Sequence, residues 1–145
     1  MAGFMSGHTN YRYDGTYRNG TGAPLYNGML VALAADGESW KFVLPEANKG
    51  KFNVVRRRDV YEGTPGIEVE VMEDDNLFFV ENLILINDSN EEWDGSKYSV
   101  PDGALVRAHM LRPGEYFVTD ELAAEPETYL VGTTVKSAAT GKVTA

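Results

Sequence analysis

Glycine-bearing turn signals cut this chain into runs too short for helices, and that punctuation limits the fold more than any other feature. Asn27-Gly28, Asp36-Gly37, Pro65-Gly66, Asp102-Gly103, Pro113-Gly114 and Thr140-Gly141 separate short apolar or β-branched stretches. Dipeptides of this kind mark tight turns because glycine accepts backbone angles closed to other residues. Met29–Ala35 lies between two such turns and reads as a strand rather than a helix. After Asp36-Gly37, Trp40, Phe42 and Leu44 alternate with Lys41 and Val43, which predicts a hairpin. Lys51–Arg58 is the next strand, and Glu62–Gly66 reads as a turn. Ile67, Val69 and Val71 then point inward while Glu68 and Glu70 face solvent, the clearest half-buried strand in the chain. Leu77–Asn87 is apolar on both faces, as a central strand or two short ones would be. The last third, Asp102–Ala145, has the rhythm of a small antiparallel sheet.

A chain of 145 residues predicts one domain with a core of its own. With 43% hydrophobic and 24% charged residues it has the composition of a globular protein. Cysteine is absent, so neither disulfides nor thiolate metal sites contribute. Twenty-two acidic against 13 basic side chains give a net charge of −9, which argues against nucleic acid as a partner because such binding rests on neutralising phosphates. Met1–His8 lacks the basic and apolar regions of a signal peptide, and Leu83–Ile86 is far too short to span a bilayer. The expectation is a protein made in the cytoplasm, with no membrane partner.

Residues 1–24 differ from the remainder of the chain. Gly3, Gly7, Gly15, Gly20 and Gly22 interleave with Tyr11, Arg12, Tyr13, Tyr17 and Arg18, without apolar periodicity. One reading is an untethered tail; the other, which we favour, is an extended arm that orders on a partner. Tyrosine and arginine are enriched at interface hot spots, and tyrosine gives contact area at low entropic cost. The predicted organisation is therefore an extended arm over 1–24 and a single β domain over 25–145.

Chemistry is sparse. Arg56-Arg57-Arg58 lies in a strand, where Arg57 faces away from Arg56 and Arg58. In an acidic chain the run reads as an ion-paired surface or a docking point for an acidic neighbour, another copy of the chain included. The acidic loop Asp88–Gly95 fails as an EF-hand, since Trp93 stands where glycine is needed and Ser99 where the last glutamate belongs. Trp93 in that polar loop either caps the core or meets a partner. His109 reads as a strand residue with a satisfied ring, and His8 falls in the arm. No nucleophile motif, zinc motif or phosphate loop occurs, so no catalytic residue, metal or cofactor is expected and the chain does not read as an enzyme.

Pro24–Val31 after a glycine-rich arm, a cysteine-free β module, Arg112–Val118 and Tyr129–Val135 followed by Gly141-Lys142-Val143 together resemble the head decoration (cement) proteins of tailed bacteriophages. The likeness is clearest over 24–44 and 102–145. It implies an all-β fold, a small antiparallel β-barrel or β-tulip with an extended N-terminal arm. It also implies a virion structural protein on the capsid exterior that bridges subunits of the major capsid protein beside other copies of itself. Tyr11, Arg12, Tyr13, Tyr17 and Arg18 are the expected capsid contacts, with Arg56 and Arg58 as further candidates. The alternative is a β-sandwich carbohydrate-binding module in which Trp93 and Tyr98 serve as stacking platforms.

Overall fold

The computed structural model describes residues 3–5, 14–61, 63–81 and 99–145. Its strands are β1 (Gly3–Met5), β2 (Asp14–Asn19), β3 (Leu25–Tyr26), β4 (Leu30–Asp36), β5 (Ser39–Val43), β6 (Lys51–Tyr61), β7 (Thr64–Glu73), β8 (Phe78–Val80), β9 (Ser99–Val100), β10 (Leu105–Met110), β11 (Tyr116–Thr119), β12 (Thr134–Ser137) and β13 (Val143–Thr144). A single 3-10 turn, Pro126–Thr128, is the only helical element among the described residues. The fold is all-β, as the turn punctuation predicts, and it contains a closed barrel of strands β10, β2, β5, β4 and β8. A six-stranded sheet in the order β1-β11-β7-β6-β12-β13 stands beside it, and β3 pairs with β9 separately.

Alternation along β4 and β8 joins the two units. Leu30 and Phe79 are register partners and lie in one apolar cluster with Phe52, Val69, Leu77, Leu111 and Phe117. Their neighbours Val31, Phe78 and Val80 lie in the other cluster, inside the barrel, with Phe42, Val106 and Ala108. Successive strand residues point to opposite faces, so this wall is buried on both sides. Its sequence is accordingly apolar at consecutive positions. Phe79 meets Phe117 with ring centroids 4.9 Å apart, and Phe42 meets Phe78 at 5.4 Å, which carries the aromatic packing across both cores.

The six-stranded sheet curls until its β13 edge meets the chain that leaves β11. Leu122, just beyond β11, bridges Val143 of β13 in parallel. The Val143 N–H donates to the Glu121 carbonyl and the Ala123 N–H to the Val143 carbonyl, both at 2.9 Å. The Tyr129 hydroxyl adds a 2.8 Å hydrogen bond to that same carbonyl. The outer edge of β13 is thereby paired with the chain that leaves β11, which removes an exposed edge. Gly141 fixes the approach of this corner to the barrel. Its φ of 84° is left-handed, its carbonyl accepts the Leu30 N–H at 2.7 Å, and a Cβ there would sit 2.9 Å from the Leu30 carbonyl oxygen.

Several expectations are corrected. The described residues of 1–24 do not form a separate arm, because Gly3–Met5 pairs with β11 and Asp14–Asn19 is a barrel strand held by β10 and β5. The boundary at 24/25 disappears for a physical reason. Residue 17 faces the barrel interior and residues 16 and 18 face out, while Asn19 is buried and satisfied by Ala23 and Val100 carbonyls at 2.8 and 3.1 Å. A strand with one apolar side chain and a buried amide shows no apolar periodicity. The last third is likewise not one sheet: β10 belongs to the barrel, while β11, β12 and β13 belong to the six-stranded sheet. Thr64–Gly66 is paired strand rather than turn, since the β6–β7 ladder runs out to Tyr61 opposite Thr64. Of Trp40, Phe42 and Leu44 only Phe42 is buried, because the barrel ends before its neighbours are covered.

Gly66 tests the register of β7 against β11. An added Cβ would lie 2.5 Å from the Thr119 carbonyl oxygen and 2.9 Å from Val60 Cγ1. Gly66→Ala should therefore destabilise the protein by about 1–3 kcal/mol, the usual cost of overpacking against backbone. Urea unfolding would read this as a lowered midpoint; an unchanged midpoint would contradict the close approach.

Candidate docking surfaces

The expected contact residues separate into three groups. Tyr11, Arg12, Tyr13, Trp93 and Tyr98 lie outside the described residues, as does the acidic loop over 88–95. Tyr17 is a packing residue: its ring meets Phe42 edge-on at 5.3 Å and an interplanar angle of 86°, against the barrel core. Arg18, Arg56 and Arg58 are exposed, but on different units, so they form no single patch.

Arg56 and Arg58 converge on one carboxylate. Arg56 Nε lies 3.4 Å from Glu68 Oε2 and Arg58 Nη1 lies 2.9 Å from Glu68 Oε1. Glu68 is 5% exposed, so the expectation that it faces solvent is corrected: the guanidiniums cover it. Both arginines lie on the same side of β6 because alternate strand residues share a face, as the sequence implies. Their charge is partly neutralised by Glu68, and the run is an ion-paired surface.

A cationic face arises instead from single residues on three neighbouring strands. In the barrel register Leu105 of β10 is opposite Arg18 of β2, and Arg18 is opposite Lys41 of β5. Arg107 comes two positions later on β10, opposite Thr16. Directly paired residues project from the same side of a sheet. Their neighbours Val106 and Phe42 belong to the interior cluster, so this side faces outward. Leu105, 58% exposed, ends this row on β10, beside Arg18 across the ladder and Arg107 along the strand. Arg18 Nη1 donates to the Gly103 carbonyl at 2.9 Å, which orients the guanidinium along the β10 end of the face. Arg18 and Lys41 are like charges on paired residues, an arrangement that costs stability in an isolated sheet. Sequence reasoning finds Arg18 but not Lys41, Arg107 or Leu105. Each stands alone on its strand, and only the non-local pairing brings them together.

Elsewhere, His109 Nε2 lies 2.8 Å from Glu81 Oε1, and the ring is buried in strand β10. No group of three or more His, Cys, Asp and Glu side chains that could hold a metal ion occurs among the described residues. A groove of about 370 Å³ opens where the barrel meets the turn before β13, lined by Pro24, Tyr26, Met29, Leu44, Glu121 and Lys142. Burial raises the proton affinity of the Glu121 carboxyl above its ordinary value, and neighbouring Asp120 raises it further; Lys142 and the chain's amino terminus oppose them.

Comparison with protein-family models, with curated proteins and with solved structures gives no match.

These charges make two measurable differences. Glu68→Gln should cost about 1–3 kcal/mol, because it leaves two guanidiniums without their charged acceptor, whereas Arg56→Ala should cost under about 1 kcal/mol as an exposed partner. Equal losses in urea unfolding would contradict this asymmetry. For Glu121 the folded carboxyl binds its proton more tightly than the unfolded one, so its contribution favours folding at low pH and is lost as pH rises through the raised value. Glu121→Gln should thus be more stable than the parent at pH 7, and the difference should close below the ordinary glutamate value of 4.5. A pH series of unfolding midpoints with a constant offset would refute it.

Proposed function

We propose that this protein is a structural docking protein, and that its partner is the outer surface of a phage capsid, where it reinforces the shell by bridging subunits of the major capsid protein. The observation that carries the reading is the outward face of exposed Arg18, Arg107 and Leu105 with half-buried Lys41, in a chain of net charge −9. Cations on paired strand residues, as Arg18 and Lys41 are, gain when an anionic surface covers them. An exposed apolar residue flanking the cations, as Leu105 is, adds contact area that a partner surface can cover. Many copies on a repeating lattice turn modest single contacts into high occupancy, and binding only the assembled state stabilises that state. The overall negative charge suits a position outside a nucleic-acid-filled shell. The resemblance of residues 24–44 and 102–145 to decoration proteins points the same way.

Truncation of residues 1–22 does not isolate docking from folding, because it removes barrel strand β2. Surface substitution does. Co-sedimentation with expanded, undecorated phage heads should show binding that weakens with salt and falls at least tenfold in the triple variant Arg18→Glu, Lys41→Glu, Arg107→Glu, with circular dichroism unchanged. Full occupancy by that variant, or no attachment by the parent protein, would overturn the reading.

A second reading, a carbohydrate-binding module, is favoured by Trp40. Its indole is 52% exposed near the end of the barrel, one position before Lys41 on β5. An exposed indole face is a platform on which a sugar ring can stack. Glycan-array hits that vanish with Trp40→Ala would support this reading over capsid docking.

A further inference from the structure

The groove beside Glu121 has a feature that the docking face does not explain. Its walls are mostly apolar, formed by Ala23, Pro24, Tyr26, Met29 and Leu44 with Thr21 and Thr140, and its charged groups are Glu121 and Lys142. Tyr26 and Leu44 are 36% and 37% exposed, so the walls continue onto open surface. Glu121 is half-buried with a second acid, Asp120, beside it in sequence. No cation among the described residues lies within ion-pair distance of the Glu121 carboxylate. Lys142 and the chain's amino terminus offset part of its burial, and a half-buried carboxylate gains further when a cation pairs with it directly.

The backbone around Glu121 is fixed before any ligand comes. Its N–H donates to the Thr119 hydroxyl at 3.0 Å, that hydroxyl donates to the Gly28 carbonyl at 2.8 Å, and the Glu121 carbonyl accepts the Val143 N–H at 2.9 Å. These bonds tie β11, the start of β4 and β13 at one point. The floor of the groove is therefore rigid, as a preorganised site requires.

We propose that this groove receives a basic side chain, arginine or lysine, from a partner polypeptide. The aliphatic stem would lie against Met29 and Leu44, the cation would face the Tyr26 ring, and the terminal group would pair with Glu121. A metal ion is a poor fit, because hard cations favour several anionic oxygen ligands and this groove offers one carboxylate, with only the Thr21 and Thr140 hydroxyls besides and a lysine on its rim. An anion is disfavoured by the same carboxylate. A polypeptide rather than a free small molecule fits the exposed Tyr26 and Leu44, which leave room for partner surface flanking the inserted side chain. Lys142, exposed on the rim, competes electrostatically with the incoming cation and limits its affinity.

The test is a titration of the ¹⁵N-labelled full chain with N-butylguanidinium chloride at pH 7, with the neutral isostere N-butylurea as control. The guanidinium should give saturable shifts at the amides of Tyr26, Leu44, Glu121 and Lys142, on the order of millimolar affinity for so small a ligand. N-butylurea should give none. Glu121→Gln should weaken guanidinium binding at least tenfold while remaining folded, and Lys142→Ala should strengthen it. Absence of saturable shifts, equal binding by Glu121→Gln, or equal binding of the urea would overturn the proposal. The groove shares no residue with the cationic face, so this outcome is independent of capsid attachment.

Discussion

Strands β4 and β8 have no solvent face where they pair, and the rest of the molecule depends on that. Leu30 and Phe79 belong to one core while Val31, Phe78 and Val80 belong to the other. A slip of one residue would exchange the two sets and place each in a space shaped for the other. The wall thus fixes the register of the barrel and the position of the curled sheet at once. Large-to-small changes at a residue such as Phe79 typically cost about 3–5 kcal/mol, and the loss would fall on a ladder common to both cores.

The second dependence is closure. A curled sheet with two free edges invites pairing with other chains, whereas the Leu122–Val143 bridge takes the β13 edge out of reach. The barrel solves the same problem by pairing β2 with β5 in parallel, although every other barrel ladder is antiparallel. A parallel pair cannot be made by a tight hairpin and needs a crossover. Strands β3 and β4 lie in the chain between the two partners and form that crossover.

These two dependences decide which parts of the fold are legible in the sequence. Ile67, Val69 and Val71 announce their strand because the alternation is local and the inward face is wholly apolar. The turns at Asp36-Gly37 and Gly141 announce themselves because left-handed backbone selects glycine. Strand β2 stays hidden because its inward positions include Asn19, a buried amide whose desolvation is offset by specific carbonyls rather than by apolar contact. The splitting of the last third between two units is illegible for another reason: periodicity says which face is buried, not which strand lies alongside. The cationic face is hidden for that reason too. Three adjacent arginines at 56–58 stand out as a run, and Glu68 pairs with two of them; the cations of the barrel face are spread over residues 18, 41 and 107.

Charge placement separates groups that serve the fold from groups that strain it. Arg56 and Arg58 cover a buried acid, so each helps the other groups stay folded. Arg18 beside Lys41 and Glu121 on the groove floor do the opposite: one sets like charges opposite each other, the other removes a carboxylate from water. Local choices that conflict with the fold's own stability mark the places where a chain answers to something besides folding. The two conflicts have opposite sign and sit at different places, one on the barrel wall and one at the junction of the two units. A single partner surface of uniform charge would relieve only one of them. Charge alone therefore separates the two places: relief at the barrel face calls for an acidic group and relief at the groove for a basic one.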